Sequence, residues 1–199
     1  MNESAKCRLL LLISLLLGLA LAACSGATAE PPLKGARIGG PFTLVDGDGR
    51  TVTDRSFAGK YRIVYFGFTH CPDVCPTDLA AIGQALRKFE QADPARGARV
   101  QPLFISVDPE RDTPAVVKEY AAAFHPRLVG LTGTPAQVAA AAKSYAIYYH
   151  KDDPQPGGGY GVDHSRVAIL MDPADRPVAL LPQDGGVGGI VASLQRWVK

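Results

Sequence analysis

Three observations predict that this 199-residue chain folds as one α/β domain. Strand-like and helix-like patterns alternate through its middle, and its last strands form an antiparallel pair before a closing helix. Its 47% hydrophobic side chains suffice to bury one full core. Two cysteines, Cys71 and Cys75, stand where an early apolar strand gives way to an amphipathic helix.

Phe42 to Val45 and Arg50 to Thr53 flank Asp46-Gly47-Asp48-Gly49 and read as a β-hairpin. Gly59-Lys60 marks a turn before Tyr61 to Phe68, an aromatic and β-branched run suited to a strand buried on both faces. Pro76 fits an early helical position, and Leu79, Ile82, Leu86 and Phe89 recur at helical spacing until Asp93-Pro94. Val100 to Val107 is a second apolar strand, closing on Asp108-Pro109-Glu110-Arg111-Asp112. Thr113 and Thr134 precede Pro114 and Pro135 as caps of helices that reach about Phe124 and Ser144, with a short strand, Leu128 to Leu131, between them. Ala146 to His150 is extended, and Lys151 to Gly161 is a Pro/Gly loop. Ser165 to Met171 and Pro177 to Leu181 pair across a turn, and Val187 to Val198 is the closing helix. This order describes a thioredoxin-like fold, with an N-terminal β-hairpin and an inserted loop before the late β-hairpin.

Residues 1–23 read as a targeting segment. Lys6 and Arg8 precede the apolar run Leu9 to Leu17, and Leu21-Ala22-Ala23 leads directly into Cys24. A small-residue site followed by cysteine resembles a bacterial lipoprotein signal, with Cys24 as the lipidated residue. The alternatives are a plain secretory peptide cut near Ala23, or an uncleaved anchor. The apolar stretch from Leu9 to Ala23 is shorter than the ~20 residues that usually span a bilayer. Residues 24–40 then read as a tether and 41–199 as the domain, held on the periplasmic side of a bacterial membrane by lipid. The formal net charge is only +2 and no basic stripe is present, so nothing points to nucleic acid.

With Cys7 in the signal and Cys24 at its end, Cys71 and Cys75 are the cysteines of the domain. Sulfurs at a helix entrance meet unsatisfied N–H groups and a positive dipole end, which favour thiolate. Such a pair suits either thiol–disulfide exchange or a soft metal ion. Among four histidines, His164 stands out, at the end of the Gly-rich loop and just before a strand. On spacing alone, a histidine so placed is more often structural than a ligand. His125 reads as a helix C-terminal cap, His150 as a surface residue, and His70 points away from Cys71 as its direct neighbour. Two thiolates and one imidazole lean towards copper, because structural zinc normally takes four protein ligands. A water, Asp or Glu as fourth ligand stays open. Asp108 follows a strand end and reads equally well as a carboxylate behind the metal ligands or as a turn residue before Pro109. Asp73 and Asp78 read as turn and first-turn residues.

The run FGFTHCPDVCPTDL, with ISVDPERDTP and VDHS downstream, resembles the SCO/SenC family of copper-binding, thioredoxin-fold proteins. The likeness extends from about Gly39 to the C-terminus. Ordinary thioredoxins place two residues between their cysteines, whereas this motif places three. The resemblance implies one copper ion, Cu(I) and/or Cu(II), bound by Cys71, Cys75 and His164, with Asp108 at a matching family position. It also implies a role in building the CuA centre of cytochrome c oxidase subunit II, by delivering copper or by reducing that site's cysteines. Delivery makes the protein a metallochaperone rather than an enzyme; Cys71 and Cys75 are catalytic only if redox-active. A further periplasmic copper chaperone or thiol reductase is an implied partner. Many relatives keep an uncleaved transmembrane helix, where this chain carries a lipoprotein-like signal.

Overall fold

The computed structural model describes residues 29–154 and 159–199. The signal segment, Cys24 and the first residues of the tether lie outside the described residues, as do positions 155–158 of the Pro/Gly loop. The chain divides into Met1–Glu30 and Pro31–Lys199, and the second unit is the one described below. Among the described residues, no helix is long and apolar enough to cross a membrane.

The strands are β1 (Thr43–Asp46), β2 (Thr51–Thr53), β3 (Tyr61–Gly67), β4 (Val100–Ser106), β5 (Val129–Thr132), β6 (Tyr149–Lys151), β7 (Val162–His164), β8 (Ala168–Met171) and β9 (Pro177–Leu180). The helices are α1 (Val74–Ala92), α2 (Pro94–Ala98), α3 (Pro114–Phe124), α4 (Pro135–Ser144) and α5 (Gly186–Trp197). Seven strands form one sheet in the order β2-β1-β5-β4-β3-β8-β9. β3, β4 and β5 run parallel, whereas β1 and β8 join antiparallel at either side. This is the predicted thioredoxin-like arrangement.

β3 and β4 are buried along their whole length. Successive residues of a strand face opposite ways, and Tyr65 and Phe66 reach different helices. Tyr65 donates its hydroxyl to Asp78 of α1 at 3.0 Å, while the Phe66 ring meets Tyr145, at the end of α4. Phe104 stands beside Tyr65 in the parallel register and packs on Tyr120 of α3. Helices α1 and α3 therefore cover one face of the sheet, with α4 on the other. The close seat of α3 requires Gly130 in β5, where a Cβ would lie 2.2 Å from the Val117 carbonyl oxygen.

Local signals explain most element ends. Thr113 accepts from the Val116 amide, and Thr134 forms a full capping box with Gln137. Leu79, Ile82, Leu86 and Phe89 are all buried, which drives α1 onto the sheet. Beyond Asp93 the chain forms a further short helix, α2, where the Asp93 carboxylate accepts from the Arg96 amide at 3.0 Å.

Two segments differ from expectation. On either side of the predicted inserted loop, β6, which overlaps the end of the stretch read as extended, and β7 pair as a separate two-stranded ribbon, with Tyr149 opposite His164. The predicted strand from Ser165 starts only at Ala168, since Arg166 turns aside to reach Asp78 and the Ser165 amide bonds the Tyr148 carbonyl. Part of the stretch read as tether is also laid against the domain. Leu33 and Ile38 pack on the core, and the Leu33 and Gly39 amides donate to the carbonyls of Val178 and Ser144.

Candidate metal centre

β3 ends at Gly67, and a short loop carries the chain through Cys71 to α1. Asp73 is the N-cap residue, so Cys71 lies just outside the helix and Cys75 in its first turn. The Cys75 amide, one of the donors a helix start leaves unsatisfied, points at Cys71 Sγ from 3.4 Å. Cys71 is half-buried, but Cys75 is fully buried. Burial pushes the Cys75 thiol up to about 12, with neighbouring Cys71 adding to the rise and the Phe68 backbone opposing it. Space behind this sulfur is tight: a Cβ on Gly67 would sit 2.8 Å from Cys75 Sγ.

The imidazole arrives from far along the chain. His164 ends β7, and its Nδ1–H donates to the Ser165 carbonyl at 3.1 Å. That bond fixes the tautomer and leaves the Nε2 lone pair directed at Cys75 Sγ, 3.2 Å away. Burial lowers the His164 pKa, which favours the neutral ring a metal needs. Tyr65 and Phe68 meet this ring edge-on, with centroids at 6.3 and 6.0 Å. The donor atoms of Cys71, Cys75 and His164 all lie within 4.8 Å of one another. The three residues singled out in the sequence thus meet at one place.

Asp108 is not part of that cluster. It is buried at the end of β4, where its carboxylate accepts from the Tyr160 hydroxyl at 2.7 Å and pairs with Arg111. Its oxygens also lie near His70 and Asp112. The oxygens of Asp112 are already engaged, by the Thr69 amide and hydroxyl and by the Ser106 hydroxyl. His70 is exposed and stands 3.7 Å from Asp112. His125 occupies the C-cap of α3 and is held neutral by burial, accepting the Arg127 amide at Nδ1. His150 is exposed.

Asp78 takes a larger part than its sequence position suggested. Buried beneath the site, it accepts from Tyr65, from Gln183 at 2.8 Å and from Nε and Nη2 of Arg166 at 2.9 and 2.7 Å. Arg166 lies two residues after His164, so this fork ties the start of the late hairpin to the cysteine helix. A charged residue interrupting the apolar approach to β8 was the signal for it. Tyr160, alone among the glycines of the loop, was the corresponding signal for the contact with Asp108.

Fold and cluster together define a thioredoxin-like domain that carries two thiols and one imidazole at the mouth of its first long helix. The chain belongs to the SCO1/SenC family, whose model matches residues 30–199. It is 49% identical over 148 residues to the mitochondrial SCO1 homolog 1 of Arabidopsis thaliana, covering 74% of this chain and 43% of that protein. Protein SenC of Rhodobacter capsulatus is 45% identical, over 76% of this chain and 65% of that one. The copper-bound crystal structure of Arabidopsis thaliana ScoI superposes with a TM-score of 0.74 at 42% identity, over 80% of this chain and 97% of that one. The thioredoxin domain of a Bacteroides vulgatus thiol-disulfide oxidoreductase shares the fold alone, at 21% identity and a TM-score of 0.55 over 81% of this chain and 96% of that one. The chain spans about half the length of the first curated relatives it matches.

Proposed function

We propose that this protein is a copper metallochaperone for the CuA centre of cytochrome c oxidase, binding one copper ion through Cys71, Cys75 and His164. The convergence of those donors within 4.8 Å carries the reading. First-row metal bonds to imidazole nitrogen and thiolate sulfur run about 2.0–2.3 Å, which sets donors of one three-coordinate ion roughly 3.5–4 Å apart, within the spread found here. The donor set is soft and offers three protein ligands, which suits copper better than a closed zinc site. Membership of the SCO1/SenC family and the copper-bound ScoI structure support the same ion. The acceptor is subunit II, reloading falls to another periplasmic copper chaperone or thiol reductase, and lipid on Cys24 holds the domain at a periplasmic membrane face. Asp108 acts behind the ligands.

The chemistry of transfer follows from what each donor can do. Cys71 is the accessible sulfur, and it can exchange against an incoming acceptor thiolate while Cys75 and His164 retain the ion. Because Cys75 is held as a thiol by burial, loading copper there releases a proton. The test is a competition titration of the full chain against a copper chelator. His164→Ala is expected to keep its fold and lose most copper affinity; undiminished affinity removes His164 from the site.

A second reading, thiol–disulfide reduction of the acceptor's cysteines, is favoured by one observation. Cys71 is half-exposed and receives the Cys75 amide, whereas Cys75 is buried behind it. Cys71 thiolate would attack one sulfur of an acceptor disulfide, and Cys75 would displace the mixed disulfide. The acceptor leaves as a dithiol, and the Cys71–Cys75 disulfide takes up the two-electron oxidation. A Cys75→Ser variant that accumulates a mixed disulfide with subunit II supports this route; a variant that accumulates none excludes it.

A further inference from the structure

The ribbon that delivers His164 is weakly supported by its own structure. β6 and β7 form a two-stranded sheet separate from the main one, and such a pair is marginal alone in water. Its outer end is gripped by the turn that follows β4. Arg111 pairs with Asp108, donates to the Tyr160 carbonyl at 3.0 Å and lays its guanidinium 3.6 Å over the Tyr160 ring. The Tyr160 hydroxyl closes the loop of contacts by donating to Asp108.

The same turn grips the cysteine loop. Asp112 accepts from the Thr69 amide and hydroxyl at 3.0 and 2.6 Å, two residues before Cys71. The turn itself is stiff. The Arg111 and Asp112 amides both donate to the Asp108 carbonyl, and the Ser106 hydroxyl accepts from the Asp108 amide while donating to Asp112. One short segment therefore holds both the sulfur-bearing loop and the imidazole-bearing ribbon.

We propose that the turn Ser106–Asp112 is a brace that sets the spacing between the two halves of the metal site, with Asp108, Arg111 and Tyr160 as positioning residues for His164. The proposal rests on the reading of His164 as a ligand and assigns the turn a part in that site. Losing a charge-assisted hydrogen bond from the ribbon raises its local opening about tenfold or more. His164 then spends less time in register with the sulfurs, and copper affinity falls while the thiolates remain.

The experiment uses the full chain with Tyr160→Phe and Asp108→Asn, beside His164→Ala. Amide hydrogen exchange is measured on the metal-free proteins. Cu(II) titration follows, with thiolate charge-transfer absorption and electron paramagnetic resonance detection of nitrogen coupling. Exchange at residues 149–151 and 162–164 should quicken about tenfold or more in Tyr160→Phe and Asp108→Asn, with the main sheet unchanged. Cu(II) affinity should fall several-fold in both, with weakened nitrogen coupling and retained thiolate absorption. Unchanged exchange in the ribbon overturns the brace whatever the copper result. Faster exchange with unaltered Cu(II) affinity and nitrogen coupling also overturns it. If His164→Ala then keeps wild-type coupling, the ligand reading fails as well.

Discussion

Replacing Gly67 by alanine tests how tightly the cysteine site is packed. The added methyl would meet Cys75 Sγ at 2.8 Å, Tyr65 Cε1 at 3.1 Å and Phe104 Cε2 at 3.3 Å. Ordinary contacts need about 3.5–4.0 Å, so the sulfur must give way by roughly 0.7 Å or more. Cys75 has no exposed surface into which to move. Overpacking of a filled core costs about 1–3 kcal/mol. Taking about 2 kcal/mol, and about 2–4 °C per kcal/mol for a domain of this size, the thermal midpoint should drop by about 4–8 °C. The shift also disturbs the 3.2 Å approach of Cys75 to His164, and copper affinity should fall by about 10- to 100-fold, as when the support of a metal ligand is lost. A double-mutant cycle isolates the cause. In a Cys75→Ala background the worst contact is gone, but those to Tyr65 and Phe104 remain, so the alanine should cost only about half as much. That leaves a coupling of about 1 kcal/mol, clear of the roughly 0.3–0.5 kcal/mol scatter of independent sites. Chemical denaturation of the reduced, metal-free proteins gives the four free energies. Strict additivity, or a Gly67→Ala protein with a wild-type midpoint, would refute the steric argument.

Two further outcomes follow from buried groups. Arg166→Leu removes a forked partner from buried Asp78 but leaves the bonds from Tyr65 and Gln183; because Arg166 is itself 39% exposed, the loss should be about 2 kcal/mol rather than the larger value for a fully buried pair, read as a shift of the urea midpoint with unchanged slope. Burial raises the folded pKa of Cys75 from an ordinary 9.0 to about 12, so the native state binds more protons than the unfolded one between those values. Stability of the metal-free, reduced protein is then full below about 9 and declines as pH rises towards 12. Cys75→Ala should flatten part of that decline, and an unaltered alkaline profile would show that the thiol is not held protonated.

Strand and helix order was legible because the chain's signals are local. The apolar runs of β3 and β4, the Thr-Pro starts of α3 and α4, and the buried stripe Leu79-Ile82-Leu86-Phe89 each predict one element and agree with the others. The β6–β7 ribbon was hidden by composition, since its strands are short and separated by glycines and prolines whose local preference is for turns. The ribbon is also met by contacts far along the chain, among them Tyr160 with Asp108 and Arg111. In the site, Cys71 and Cys75 announced themselves by spacing, whereas the convergence of His164 needed either the fold or the family motif. Asp78 is a helix residue and not a ligand, as its position implies, but its buried network is not legible locally because its partners Arg166 and Gln183 lie 88 and 105 positions away.

The 89-residue separation between Cys75 and His164 also has a temporal side. A chain made only as far as residue 163 lacks the imidazole, and one whose β7 is still unpaired does not hold it beside the sulfurs. Any ion held by all three therefore adds its affinity to the native state alone, so that occupancy and completed folding rise and fall together.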